Sequence, residues 1–156
     1  MKKVLFVASE GVPFIKTGGL ADVVGSLPKC YNKEEYDVRV ILPKYMCMKE
    51  EWKNKMNYVT HFYMDLAWRS QYVGVLEMQY DGVQFYFIDN EYYFAGPKPY
   101  GNIYQDIEKF AFFSKAALSA LPVIGFKPDI VHCHDWQTGL VPVLLKDKFH
   151  EGEFFR

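Results

Sequence analysis

Cysteine is scarce: the 156 residues hold three, Cys30, Cys47 and Cys133, with no C-x-x-C pair among them. An odd number of widely spaced cysteines argues against a disulfide framework and fits a reducing, cytoplasmic setting. Charge of one sign is lacking as well. Eighteen Lys and Arg against nineteen Asp and Glu leave a net charge of -1. No basic excess is therefore on offer to nucleic acid or to an anionic membrane. Long apolar runs are missing, so nothing here spans a bilayer. The run nearest the start, Val4 to Ala8, is too short for a secretory signal and is followed by Glu10. There is no internal repeat, no low-complexity tract, no Ser-His-Asp order and no nucleophile elbow.

What the chain does have is a globular balance, 50% hydrophobic and 24% charged, at a length suited to one domain. Aromatics reach 18%, with 12 tyrosines and 13 phenylalanines. Most such rings fill a core and tile strands, although a tyrosine-rich surface can also stack on sugars or bases.

Periodicity organises these residues. Val4 to Ala8 has the length and branching of a buried parallel strand. Leu20, Val23, Val24 and Leu27 then recur at helical spacing, and Val38 to Leu42 is a second buried run stopped by Pro43. Strand, helix, strand is a βαβ unit, which predicts an α/β fold with a parallel sheet and a right-handed crossover. The middle reads as three strands, Tyr58 to Leu66, Tyr72 to Tyr80 and Val83 to Ile88. Asp81-Gly82 is a hairpin turn between the last two. This part is expected to be antiparallel or mixed and added at a sheet edge. Ala95 to Asn102 is a loop. Asp106 is expected to cap a helix whose apolar face carries Ile107, Phe110, Ala111, Leu118 and Leu121 and which ends at Pro122. Ile130 to Cys133 reads as a third buried strand. A helical stretch follows from about Gln137 to Phe149, with Pro142 either bending it or falling in its first turn.

Two motifs carry chemistry. KTGGLADV, Lys16 to Val23, sits between the first strand and the first helix. Glycines at a helix N-terminus let a phosphate approach the backbone N–H groups, and Lys16 can add a full positive charge. The pattern is neither a Walker A loop nor the dinucleotide fingerprint. A glycine-eased turn beside a solvated lysine is the plain alternative. Asp22 can simply favour the first helical turn, or accept hydrogen bonds from hydroxyls of a sugar phosphate or nucleotide sugar lying on the glycines. The second motif is VHCHDWQTG, Val131 to Gly139. His132, Cys133, His134 and Asp135 are all possible zinc ligands. The strand period, however, puts Cys133 on the opposite face from the histidines, so no metal is expected. Asp135 suits the N-cap of the next helix and also stands at a strand's carboxyl end, where open α/β sheets bind ligands.

At these motifs the chain resembles a known family. LFVASEGVPFIKTGGLADVVGSLP and KPDIVHCHDWQTGLVPVLL closely resemble the bacterial glycogen synthases, the ADP-glucose-using family shared with plant starch synthases. WRSQYVGV, FYFIDNEYYF and EKFAFFSKAAL follow in order and spacing. The resemblance spans essentially the whole chain. It implies a GT-B glycosyltransferase in which residues 1–156 form a truncated, Rossmann-like, acceptor-side N-terminal domain and the C-terminal nucleotide-binding domain is absent. The implied reaction moves glucose from ADP-glucose to the non-reducing end of an α-1,4-glucan with retention, without a metal or other cofactor. By resemblance Lys16, Gly18, Gly19 and His134 bind substrate, while Asp22 and Asp135 lie around the glucosyl group as catalytic carboxylates. The family's cleft histidine, in a T-[VI]-H-N type motif, has no counterpart here, so no histidine of this chain inherits that role. The piece alone is expected to be inactive. A stand-alone carbohydrate-binding or regulatory domain, or a transferase using another nucleotide sugar, remain the competing readings.

Overall fold

The computed structural model describes residues 1–156. Its six-stranded sheet has the order β3-β4-β5-β2-β1-β6. β1 (Lys2–Val7) and β2 (Tyr36–Pro43) pair in parallel around α1 (Gly19–Ser26), as the βαβ pattern requires. Val4 to Ala8 and Val40 to Leu42 are buried, which is how central strands with both faces covered behave. A short helix, α2 (Glu50–Lys53), leads to β3 (Asn57–Leu66), β4 (Arg69–Tyr80) and β5 (Val83–Asp89). Asp81 and Gly82 both have positive φ, 51° and 76°, the requirement of a type I′ hairpin turn. The mixed character is borne out, with one refinement. β5 runs parallel to β2 inside the core, and only β4 and β3 form the antiparallel extension.

α3 (Ile103–Ile124) returns the chain to β6 (Ile130–Cys133), which pairs in parallel with β1. The cap of α3 is Asn102, whose side chain accepts from the Tyr104 N–H at 2.9 Å, and not Asp106. Asp106 lies a turn further in and is buried. The helix also passes through Pro122 to a left-handed C-cap at Gly125. The proline forgoes the N–H bond that residue 122 would make to the Leu118 carbonyl, and the helix ends within the same turn. Its buried face includes Phe110, Leu118 and Leu121 as expected, but Ile107 is exposed.

Two further expectations are corrected. In α1 the buried residues are Ala21 and Val24, while Val23 and Leu27 face outward. The helix is turned so that Gly25 meets the preceding loop: a Cβ there would lie 2.7 Å from the Val12 carbonyl oxygen. β6 is not a buried strand. It is the outer strand of the sheet, and Ile130 is 48% exposed. The last segment changes pitch from a 3₁₀ turn at Trp136–Thr138 through α4 (Leu140–Leu144) to a π turn at Leu145–Phe149. Pro142 falls in the first turn of α4, where its missing N–H has no partner to lose. Most of the aromatic excess is core. Phe14, for example, packs edge-on against Phe85 and Phe87 with ring centroids 4.9 and 5.1 Å away.

Candidate active site at the carboxyl end of the sheet

The four parallel strands β5, β2, β1 and β6 point their carboxyl ends the same way, and the loops there converge. Just past β1, Glu10 is 3% exposed and its Oε2 accepts from the Thr17 N–H at 2.7 Å and the Thr17 hydroxyl at 2.6 Å. A buried carboxylate with two such bonds pins the KTGG loop from beneath. Above it, Lys16 Nζ donates to both oxygens of Asp22, at 2.8 and 3.0 Å, with each side chain about half exposed at 53% and 54%. Lys16 and Asp22 are thus brought together, and the carboxylate one turn into α1 aims the ammonium.

Gly18 and Gly19 begin α1 without any side-chain cap. Gly18 has φ -160°, extended backbone that any residue adopts. A Cβ at Gly18 would meet only Glu10 Oε1 at 4.0 Å, and one at Gly19 would meet nothing within 4 Å. Neither strain nor packing within the chain calls for glycine at these positions. They leave bare space over the helix N-terminus, which is what a ligand phosphate needs.

The loop before α3 closes over the same end. The Tyr100 hydroxyl lies 2.6 Å from Ser9 Oγ, and the buried Tyr45 hydroxyl donates to the Ser9 carbonyl at 2.7 Å. Burial, with the Glu10 and Asp135 carboxylates adding to it and hydrogen bonding to Ser9 and Thr17 opposing it, pushes the Tyr100 phenol up to about 12. These groups therefore share one electrostatic neighbourhood. Asp106 accepts from the Gly101 N–H at 2.9 Å and lies 3.3 Å from Lys109 Nζ, which donates to the Pro99 carbonyl at 2.9 Å. This buried pair staples the 99–101 loop to α3.

β6 delivers His134 and Asp135. Asp135 has φ 61° and ψ -177°, a region almost reserved for glycine, and its side chain makes no cap hydrogen bond. Asp135 therefore holds the expected N-cap position without supplying the cap bond. The turn is held by Thr138 instead, whose hydroxyl donates to the His134 carbonyl at 2.8 Å. Holding an aspartate there costs about 1–3 kcal/mol, and such strain gathers at functional sites. The carboxylate itself is left exposed at the mouth. The His134 ring packs against Phe6 at 5.1 Å and His132 at 4.2 Å. Burial, with His132 adding to it, lowers the His134 imidazole to about 4, so it is neutral at pH 7. Its Nε2 is buried without a partner. Cys133 shares neither contact, and no group of three or more His, Cys, Asp or Glu is placed to hold a metal ion.

Sequence reasoning missed Ser9, Glu10, Tyr100, Asp106 and Lys109. The one local signal was a glutamate directly after an apolar strand, where a solvated residue gains nothing by being buried.

A family model described as starch synthase catalytic domain matches residues 3–156. The chain belongs to this family. Starch synthase-type relatives agree along its whole length. It is 72% identical over 155 residues to a glycogen synthase of Lachnoclostridium phytofermentans, covering 99% of this chain and 32% of that protein. It is 69% identical over 156 residues to a glycogen synthase of Lachnospira eligens, covering 100% of this chain and 33% of that protein. The solved catalytic domain of starch synthase IV from Arabidopsis thaliana, bound to ADP and acarbose, superposes with a TM-score of 0.84 at 33% identity, covering 96% of this chain and 31% of that one. The chain thus spans about a third of the length of these relatives. Its mixed sheet is the Rossmann-like N-terminal region of a GT-B glycosyltransferase.

Proposed function

We propose that residues 1–156 are the acceptor-side N-terminal domain of a glycogen synthase, which moves glucose from ADP-glucose to the non-reducing end of an α-1,4-glucan with retention. The observation that carries this reading is the bare space over Gly18 and Gly19 beside an aimed lysine. A nucleotide sugar leaves as a diphosphate, and negative charge grows on it as the glycosidic bond breaks. Preorganised N–H groups and an ammonium stabilise that charge without reorganising at the moment of reaction. Lys16 and the glycine amides take this role. Asp22 orients Lys16 and stands beside the glucosyl group, Asp135 faces the same group from β6, and neutral His134 lines the same mouth as a substrate-binding residue. The ADP and acarbose bound by the related starch synthase support a nucleotide-plus-glucan site.

The chain spans about a third of its relatives' length, and on this reading the groups that face the adenosine come from the remainder. Three free cysteines fit a cytoplasmic enzyme, and no helix is long and apolar enough to cross a membrane. The test is glucose incorporation into glycogen by the intact protein, with ADP-glucose and UDP-glucose in competition. Incorporation preferring ADP-glucose is expected. Absence of transfer from either donor overturns the reading, and preference for UDP-glucose overturns the donor assignment.

A further inference from the structure

Opposite charges are buried together near the start of α3. Asp106 is 3% exposed and Lys109 9%, one helical turn apart, with Lys109 Nζ 3.3 Å from Asp106 Oδ1. A buried ion pair gains the fold little, because desolvation of both charges offsets their attraction. Apolar side chains of similar volume would serve the core beside Phe110 as well.

The bonds that the two charges make to the backbone are more telling than their pairing. Lys109 Nζ donates to the Pro99 carbonyl at 2.9 Å, and Asp106 Oδ2 accepts from the Gly101 N–H at 2.9 Å. That carbonyl and that N–H belong to the two peptide units on either side of Tyr100. Peptide units are planar, so gripping both fixes the two soft backbone angles of the residue between them. Packing does not do this work, since a Cβ at Gly101 would meet nothing within 4 Å. The far end of Tyr100 is held too. Its hydroxyl lies 2.6 Å from Ser9 Oγ and also hydrogen-bonds with Thr17. Thr17 is the residue that Glu10 holds by N–H and hydroxyl, directly between Lys16 and Gly18. Through one tyrosine, α3 reaches the KTGG loop.

We propose that Asp106 and Lys109 are positioning residues for the donor site: by fixing the backbone on both sides of Tyr100 they set its hydroxyl against Ser9 and Thr17, and so hold the KTGG loop in the geometry a leaving diphosphate needs. The proposal rests on the reading of Lys16, Gly18 and Gly19 as the phosphate-binding groups. Neither charge touches the substrate. Charge-assisted bonds are shorter and stiffer than neutral ones, which suits a clamp whose task is placement. An ammonium and amide N–H groups that stabilise growing charge must already be in place when the bond breaks. The buried pair is a means to that end.

The test uses the intact protein and three variants: Asp106→Leu/Lys109→Met, which removes both charges; Tyr100→Phe, which removes the hydroxyl; and the three changes together. Thermal melting, backbone amide hydrogen exchange, and initial rates with ADP-glucose varied at saturating glycogen are measured on each. Asp106→Leu/Lys109→Met is expected to melt within about 3 °C of wild type, since an apolar pair replaces a buried ion pair at little cost. Its amides at 98–102 and at 16–19 are expected to exchange about tenfold faster, as both loops open more often. Its kcat/KM for ADP-glucose is expected to fall about tenfold, mainly in kcat, because misplaced groups fail the transition state first. Tyr100→Phe should cost a similar factor, and the triple variant no more than either, because residues acting through one contact do not add.

A multiplied loss in the triple variant, of about a hundredfold, makes the pair independent of Tyr100 and overturns the proposal. Unchanged exchange at 16–19, or wild-type kinetics in the folded Asp106→Leu/Lys109→Met variant, overturns it as well. Should that variant not fold, Lys109→Met alone takes its place in the same comparison. Exchange needs no turnover: faster exchange at 16–19 in variants of a wild type that transfers no glucose would sustain the positioning of the loop and sink the proposed function.

Discussion

Gly19 has room for a side chain and carries none. In the intact enzyme, Gly19→Ala is expected to leave stability within about 0.5 kcal/mol, since the added methyl touches nothing in the chain. It should nonetheless raise the KM for ADP-glucose by tenfold or more, because the methyl stands where the phosphate goes. Thermal melts and steady-state kinetics on one preparation separate the two effects. Lys16→Ala belongs to the same contact. Its pair with Asp22 is half exposed and contributes little to stability, whereas a charge-assisted bond to phosphate is worth about 1.5–3 kcal/mol. Donor use is expected to weaken roughly ten- to a hundredfold while glycogen affinity holds, and Lys16→Arg to recover little of it. Asp135 presents the opposite case. Relieving its positive φ with Asp135→Gly should stabilise the fold by about 1 kcal/mol and abolish most turnover. A variant less stable than wild type by urea unfolding would contradict the strain.

At the scale of elements, α1 shows where packing overrides pattern. Gly25→Ala is expected to destabilise by about 1–3 kcal/mol, because the methyl is driven into the Val12 backbone; an unchanged urea midpoint would refute this. The periodicity of Leu20, Val23, Val24 and Leu27 marks the helix but not its orientation. A glycine has no hydrophobicity to register, yet it decides which side of the helix can approach the loop. The hairpin is legible because Asp81-Gly82 states its own backbone geometry. β6 is misjudged because a run of Ile, Val, His and Cys reads alike at the centre of a sheet and at its margin. The same limit governs the site. Lys16, Gly18, Gly19 and Asp22 are neighbours in sequence and can be read as a unit. Ser9 and Tyr100 stand 91 residues apart, and only the fold makes them partners.

For the whole molecule, His134 ties stability to acidity. Its imidazole is lowered from 6.5 to about 4 in the folded chain. The unfolded chain therefore takes up a proton first as the solution is acidified. The contribution is fully present above pH 6.5 and is lost as pH falls from there through about 4. Urea midpoints between pH 7 and 4 should decline, and His134→Phe, which keeps the packing against Phe6, should flatten that decline. An identical slope in the variant would show that His134 is not its source. A second expectation follows from the apolar side chains left bare around α3, α4 and β6, namely Ile107, Trp136, Leu140, Val143 and Ile130. Expressed alone, residues 1–156 should self-associate, and light scattering from a concentrated monodisperse monomer would count against it.

The strand order also sets a timetable. β1 leaves the ribosome before the other five strands, yet in the finished sheet it lies between β2 and β6. The Lys3 N–H donates to the Asp129 carboxylate and the Lys3 carbonyl accepts from the Asp129 N–H, 126 residues later. Until nearly all of this region has been synthesised, the amino-terminal strand has one open flank, with Leu5, Phe6 and Val7 waiting for cover. Contacts of such long sequence separation form slowly. The nascent chain must therefore carry its most apolar segment with one flank uncovered until β6 has emerged, and this is the interval in which a chaperone has something to hold.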